Sequence, residues 1–227
     1  MHKESQLIHS RVELLYFPQD IPEERFREFF GNISQSTGIK YKEFKILPNN
    51  EAIFRTVEGN NISLTFIRRD RLIIQEDFPQ FPLEILKSNI ESIVKAAYNF
   101  IRFPFFVSQV SLIRRLYRPA KFNDARVFLG DNMCGMKDKL FPVFNRPAHI
   151  FGLRLSFPPF KENKIGYDLK IESYARDPRL IFVENMGVYN APLTVNNISL
   201  ILSNLDETNK FIEENTLEFL EWFDVSD

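Results

Sequence analysis

The side chains best placed by type and spacing to do chemistry in this sequence are arginines. Arg114, Arg115, Arg118, Lys121 and Arg126 follow one another closely with only Asp124 among them, and Leu116, Tyr117 and Phe122 are interleaved. Cations alternating with apolar rings could neutralise phosphates while the rings stack on bases, or could meet an acidic partner. The stretch from Asp206 to Asp227 carries the opposite sign, with eight acids against Lys210. The two stretches can therefore also answer each other within the fold or across a homodimer, which the net charge of −1 favours. A second group, Arg68, Arg69 and Arg71 around Asp70, could form an anion site at a hairpin tip, although solvated charge is the ordinary condition of a turn.

Other reactive residue types are scattered. His2, His9 and His149 never stand at the i, i+3 or i+4 spacing that sets two ligands on one helix face, so no metal site is expected. His149 follows Pro147-Ala148 at a strand start, and a general base there would need a positioned partner. Cys134 would be a nucleophile only beside a base, and burial as a small hydrophobe is its ordinary use. No serine sits in a strained glycine elbow, and the 8 glycines do not cluster into a phosphate-cradling loop. No catalytic residue and no cofactor is expected.

At 44% apolar residues, with 24 phenylalanines and almost no net charge, the chain has the composition of a folded protein. A single cysteine rules out an internal disulfide framework and fits a reducing compartment. No run approaches the ~18 consecutive apolar residues of a membrane span. A cytoplasmic location without a membrane partner is the expectation.

These residues must be positioned by elements that occur in a repeated order. The passage Arg68 to Asp77 returns as Ala175 to Asn185, each a charged turn between alternating apolar residues, as in a β-hairpin. Before the first copy come a strand over Val12 to Tyr16, a helix opening at Pro22 with Asp20 as its cap, and strands over residues 41–47, 52–57 and 62–67. A helix over residues 83–101 follows, with Glu91 and Lys95 one turn apart. After Pro104 the order restarts with a strand over residues 105–116, a short helix over residues 122–130 and an irregular passage over residues 131–145, suited to a partner contact. Strands over residues 149–157, 165–174 and 179–184, a link over residues 185–196 and a terminal helix with a break near Asn204 complete it. Phe103, Phe105, Phe106, Phe141, Phe144, Phe157 and Phe160 are mostly assigned to the core.

The fold class is therefore α+β: an internally duplicated strand, helix, antiparallel meander and helix, residues 1–104 and 105–227. They are expected to pack as one pseudo-symmetric unit with helices on one face. In the order of its elements the chain resembles the saddle of the TATA-binding protein. Through Arg69-Asp70-Arg71, the long helix after it and the late Leu205-Asp206 to Phe211, it also resembles a sporadically distributed family of uncharacterised prokaryotic proteins. The late histidine of that pattern is absent here, with Asp206 nearby, and the resemblance implies no activity.

The function expected is that of a non-enzymatic binding or assembly protein with a protein partner or a second copy of itself. The alternatives are a nucleic-acid-binding module using the sheet face and the Arg114 to Arg126 cluster, and a small-molecule sensor with an apolar pocket.

Overall fold

Alternating sequence patterns become nine strands in the computed structural model, which describes residues 5–136, 143–146, 148–160 and 164–224. They are β1 (Gln6–Leu15), β2 (Glu43–Ile46), β3 (Ala52–Glu58), β4 (Asn61–Ile67), β5 (Arg71–Asp77), β6 (Ser108–Tyr117), β7 (Gly152–Phe157), β8 (Gly166–Ser173) and β9 (Ile181–Tyr189). All join one antiparallel sheet in the order β2-β3-β4-β5-β1-β6-β9-β8-β7. The class is mixed α+β. At the centre β1 lies against β6, with Leu15 opposite Ser108 and Gln6 opposite Leu116.

The helices are α1 (Glu23–Ser36), α2 (Leu83–Ala96), α3 (Ala125–Val127), α4 (Ile198–Lys210) and α5 (Leu217–Phe223). Pro22 precedes α1, and Glu23 and Glu24 lie in its first turn, where carboxylates meet the positive end of the helix dipole. Asp20 does not cap it; no side chain does, and Asp20 lies beside Arg69 instead. Three π-helical turns, Ala97–Ile101, Phe128–Met133 and Phe211–Thr216, extend α2, extend α3 and join α4 to α5.

One sheet face carries the core. Val12, Leu14, Leu72, Ile74, Ile113, Ile171 and Val183 pack with Phe26, Phe29 and Ile33 of α1, Ile90 and Ile93 of α2, and Ile201 and Leu205 of α4. Phe103 and Phe106 join them, whereas Phe144, Phe157 and Phe160 are exposed, Phe105 is partly buried and Phe141 lies outside the described residues. Phe157 lies in β7, the last strand of the sheet order, which has a neighbouring strand on one side only.

The seating of α4 is polar, and this corrects two expectations. Strand β9 runs through Asn185-Met186-Gly187, which local chemistry reads as a link. Asn185 donates its amide to the Thr208 carbonyl at 2.9 Å, and a Cβ on Gly187 would come within 2.6 Å of Thr208 Oγ1. The close crossing of α4 thus demands glycine in the strand. Nor does the terminal helix break near Asn204, whose amide donates to Gln109 Oε1 at 2.9 Å while Gln109 donates to the Ile201 carbonyl. The departure from α geometry comes later, at Phe211–Thr216, where Thr216 Oγ1 donates to the Phe211 carbonyl.

Beneath the first helices, Thr56, Ser63, Glu76 and Ser10 face one another across four strands, all buried. Burial is the largest influence on Glu76 and raises its pKa to about 7, against hydrogen bonds from Ser63 and Asn61. Between the ordinary carboxylate value and about 7 the unfolded chain loses this proton while the folded chain keeps it. Stability therefore falls as pH rises through that window and levels above it.

Two outcomes follow for urea denaturation. Gly187→Ala should lose roughly 1–3 kcal/mol, because the methyl group displaces Thr208 or Tyr189. Glu76→Gln should gain on the wild type by roughly 3 kcal/mol between about pH 4 and about pH 8; a stability difference independent of pH would contradict the assignment.

Candidate functional site

Successive side chains of a strand point to opposite faces, so every residue feeding the core leaves its neighbours on the other face of the sheet. On that open face Asp77, His9, Arg114, Glu184, Lys170 and Arg154 form one continuous row across β5, β1, β6, β9, β8 and β7. Its members make close polar contacts within the row and with Asp168 and Glu172 beside it. His9 Nδ1 lies 2.5 Å from Asp77 Oδ1, Arg114 Nε 2.5 Å from Glu184 Oε2, and Arg154 grips Asp168 through two nitrogens. Lys170 Nζ pairs with Glu172 at 2.9 Å and lies 5.6 Å from the Phe182 ring centre.

Adjacent rows mix apolar and polar side chains. Leu64, Leu112 and Met186 share one with Arg55, Gln75, Arg11 and Asp168, and Ile53, Phe66, Ile73, Val110 and Val188 share the next with Glu13, which pairs with Arg11. All of these apolar side chains except the buried Ile73 remain partly exposed. At the β7 end a groove of about 590 Å³ is lined by Ile150, Leu153, Met186, Arg154, Lys170 and Glu184, among others.

His9 and Asp77 are brought together only by the pairing of distant strands, next to a bulge between Leu7 and His9 in the β1–β6 register. Burial pushes the Asp77 pKa up, but hydrogen bonds from His9 and Gln75 hold it below the usual carboxylate range. Only 5% of the His9 surface is exposed. His149 is exposed and Cys134 half-buried, and among the described residues no group of three or more His, Cys, Asp and Glu could hold a metal ion. No helix there is long and apolar enough to cross a membrane.

The arginines singled out by spacing are divided. Arg114 lies on the open face, while Arg115 turns to the helix side, where it bonds Asn209 and Ser5 and pairs with Glu213 at 2.6 Å. Burial lowers the Arg115 pKa, and Glu213 opposes the shift. Arg118 and Lys121 are exposed beyond β6, and Arg126 chelates Asp124. The acidic terminal stretch meets this segment: buried Asp224 accepts the backbone N–H groups of Ala120 and Lys121. Arg115 thus meets the acidic stretch inside the fold through Glu213, and the backbone after β6 meets it through Asp224.

At the first hairpin, Arg68 pairs with Glu51, Arg69 with Asp20, and Arg71 with Asp70 and Glu13. At the second, Asp177 accepts from both the backbone and the guanidinium of Arg179, which hold its pKa down to about 2. Leu15 faces Arg71 and Ser108, whereas Tyr117 faces Ile181, so the hairpins stand at opposite ends of the central strands, about 30 Å apart at strand rise. Their arginines form no common site. Asp206, the residue near the missing histidine, pairs with Lys87 at 2.5 Å and ties α4 to α2.

Of the irregular passage 131–145, Asp131–Met133 are helical and residues 137–142 lie outside the described residues. The apolar side chains of the open face had one legible sign, the presence of Val110, Leu112 and Ile113 on both faces of β6. No protein-family model matches the chain, and no curated protein matches it.

The divided arginines should separate in a stability assay. Arg115→Ala should cost roughly 2 kcal/mol, because it strips partners from Asn209 and Glu213, whereas Arg118→Ala should stay within about 0.5 kcal/mol of wild type. Equal effects in chemical denaturation would refute this division of labour.

Proposed function

We propose that this chain is a non-enzymatic binding or assembly protein that holds a protein partner on the open face of its sheet. The observation that carries this reading is the composition of that face. Partly exposed Leu64, Phe66, Leu112, Met186 and Val188 lie beside charges of both signs that are already paired. Apolar contacts bordered by balanced polar groups suit a folded protein surface. A polyanion is bound through cations that neutralise its phosphates, and here Glu13, Asp168, Glu172 and Glu184 already occupy the neighbouring cations.

The reading includes an architecture and a setting. Residues 1–104 and 105–227 are two copies of one strand, helix, meander and helix, packed as a pseudo-symmetric pair whose sheets join into a curved saddle. Support comes from the strand order: β1 and β6 stand together, flanked by β5 and β9, then β4 and β8, then β3 and β7. The likeness to prokaryotic proteins of this design and a cytoplasmic location belong to the same reading.

The test is a pair of variants. Leu112→Glu with Met186→Glu charges the open face without touching the core, and Trp222→Ala, at an exposed side chain of α5, is the control. A protein recovered with the wild type and the control from native lysate after nuclease treatment, or a self-associated dimer by light scattering, should be lost with the charged variant. Association indifferent to the charged variant, recovery of nucleic acid alone, or recovery of nothing would overturn the proposal.

A further inference from the structure

On the helix side, away from the open sheet face, a groove of about 530 Å³ lies between α1 and the π-helical turn that extends α2. We propose that it binds a small molecule through a compact oxyanion, a carboxylate or a phosphate group. Arg25 and Arg102 line it, together with Gly31, Asn32, Asn99 and Glu28.

Two locally unfavourable choices converge here. Arg102 caps the π-helical turn in the left-handed region, at φ 64 and ψ 45, with its N–H on the Ala97 carbonyl. Glycine or asparagine is the usual residue in that conformation, and a longer L side chain costs of order 1 kcal/mol or more. In return the bend brings a guanidinium to the groove, and among the described residues no carboxylate pairs with it. Gly31 lies inside α1, where it costs about 1 kcal/mol relative to alanine. Packing does not call for it, since a Cβ there would meet nothing within 4 Å. Its missing side chain keeps the groove open.

Two of the polar groups around this space have donors to spare. Arg25 is steadied by a 3.3 Å bond from Nη1 to the Ile101 carbonyl, which leaves other N–H groups of its planar fork for a ligand. Asn32 Oδ1 accepts from Ser36 Oγ, so its amide NH₂ is the end left to donate. Glu28 sets the limit on charge: one carboxylate among two guanidinium groups leaves a single positive excess. A small oxyanion fits that balance better than a polyphosphate or a nucleic-acid backbone.

Calorimetric titration of the full chain with inorganic phosphate and, separately, with sodium acetate at constant ionic strength tests the site. Saturable binding is expected for at least one anion, and which one identifies the chemical source. Arg102→Gln should weaken it about tenfold or more through loss of a charge-assisted hydrogen bond, Gly31→Leu should abolish it by filling the groove, and Glu28→Gln should tighten it. Melting temperatures verify that the variants fold; Gly31→Leu meets no neighbour at its Cβ and removes a helix-interior glycine, so it should melt no lower than the wild type. No saturable binding of either anion, or binding left intact in Arg102→Gln or Gly31→Leu, overturns the proposal. Because both variants lie on the helix side, this outcome is independent of what the open sheet face binds.

Discussion

The register between β1 and β6 is the constraint on which the rest of the molecule depends. Pairing Leu15 with Ser108 and Gln6 with Leu116 joins the strands before and after residue 104 into one sheet. It also decides what every side chain beyond it meets, since a slip of one residue would exchange the two faces of a strand. In the observed register Val12 and Leu14 enter the core while Arg11 and Glu13 face outward, His9 comes opposite Arg114, and the two charged hairpins are sent to opposite ends.

The helices cover the inner face by two different means. Over β1, β3 and β5, α1 and α2 supply an apolar surface, with Phe26, Phe29 and Ile90 against Leu72 and Ile74. Such contacts stabilise in proportion to buried area and tolerate small displacements. Over β6 and β9, α4 is also held by Gln109, Asn185, Tyr189, Asn204 and Thr208, whose hydrogen bonds have fixed directions and are costly to leave unmade. Apolar burial thus provides adhesion throughout, while the polar contacts fix the position of α4 along the sheet.

With one face covered, the other holds both the exposed apolar side chains and the row of charged side chains from Asp77 to Arg154. Paired charges are already partly desolvated and oriented, so they can border an interface without presenting a net field. The helix-side groove differs in kind, because Arg102 is held near it by a strained backbone and has no carboxylate partner among the described residues. The two surfaces lie on opposite sides of the fold, one on the helix side and one on the other face of the sheet.

Periodicity alone established the α+β class, most strand centres, the long helix after residue 82 and both charged hairpins. The apolar face of an element is written within a dozen neighbouring residues, so these features are local. The extension of β9 through Asn185 and Gly187 and the continuity of α4 through Asn204 were not legible. Those residues favour turns in isolation and are held in place by Thr208 and Gln109 from distant elements. The candidate site was legible only as a list of cations. That Arg114 faces outward and Arg115 inward, that Glu213 and Asp224 answer the basic segment, and that His9 meets Asp77 were decided by strand register and helix docking. The physical reason is that charge composition belongs to the chain, whereas the partner of a charge belongs to contacts between residues far apart in sequence.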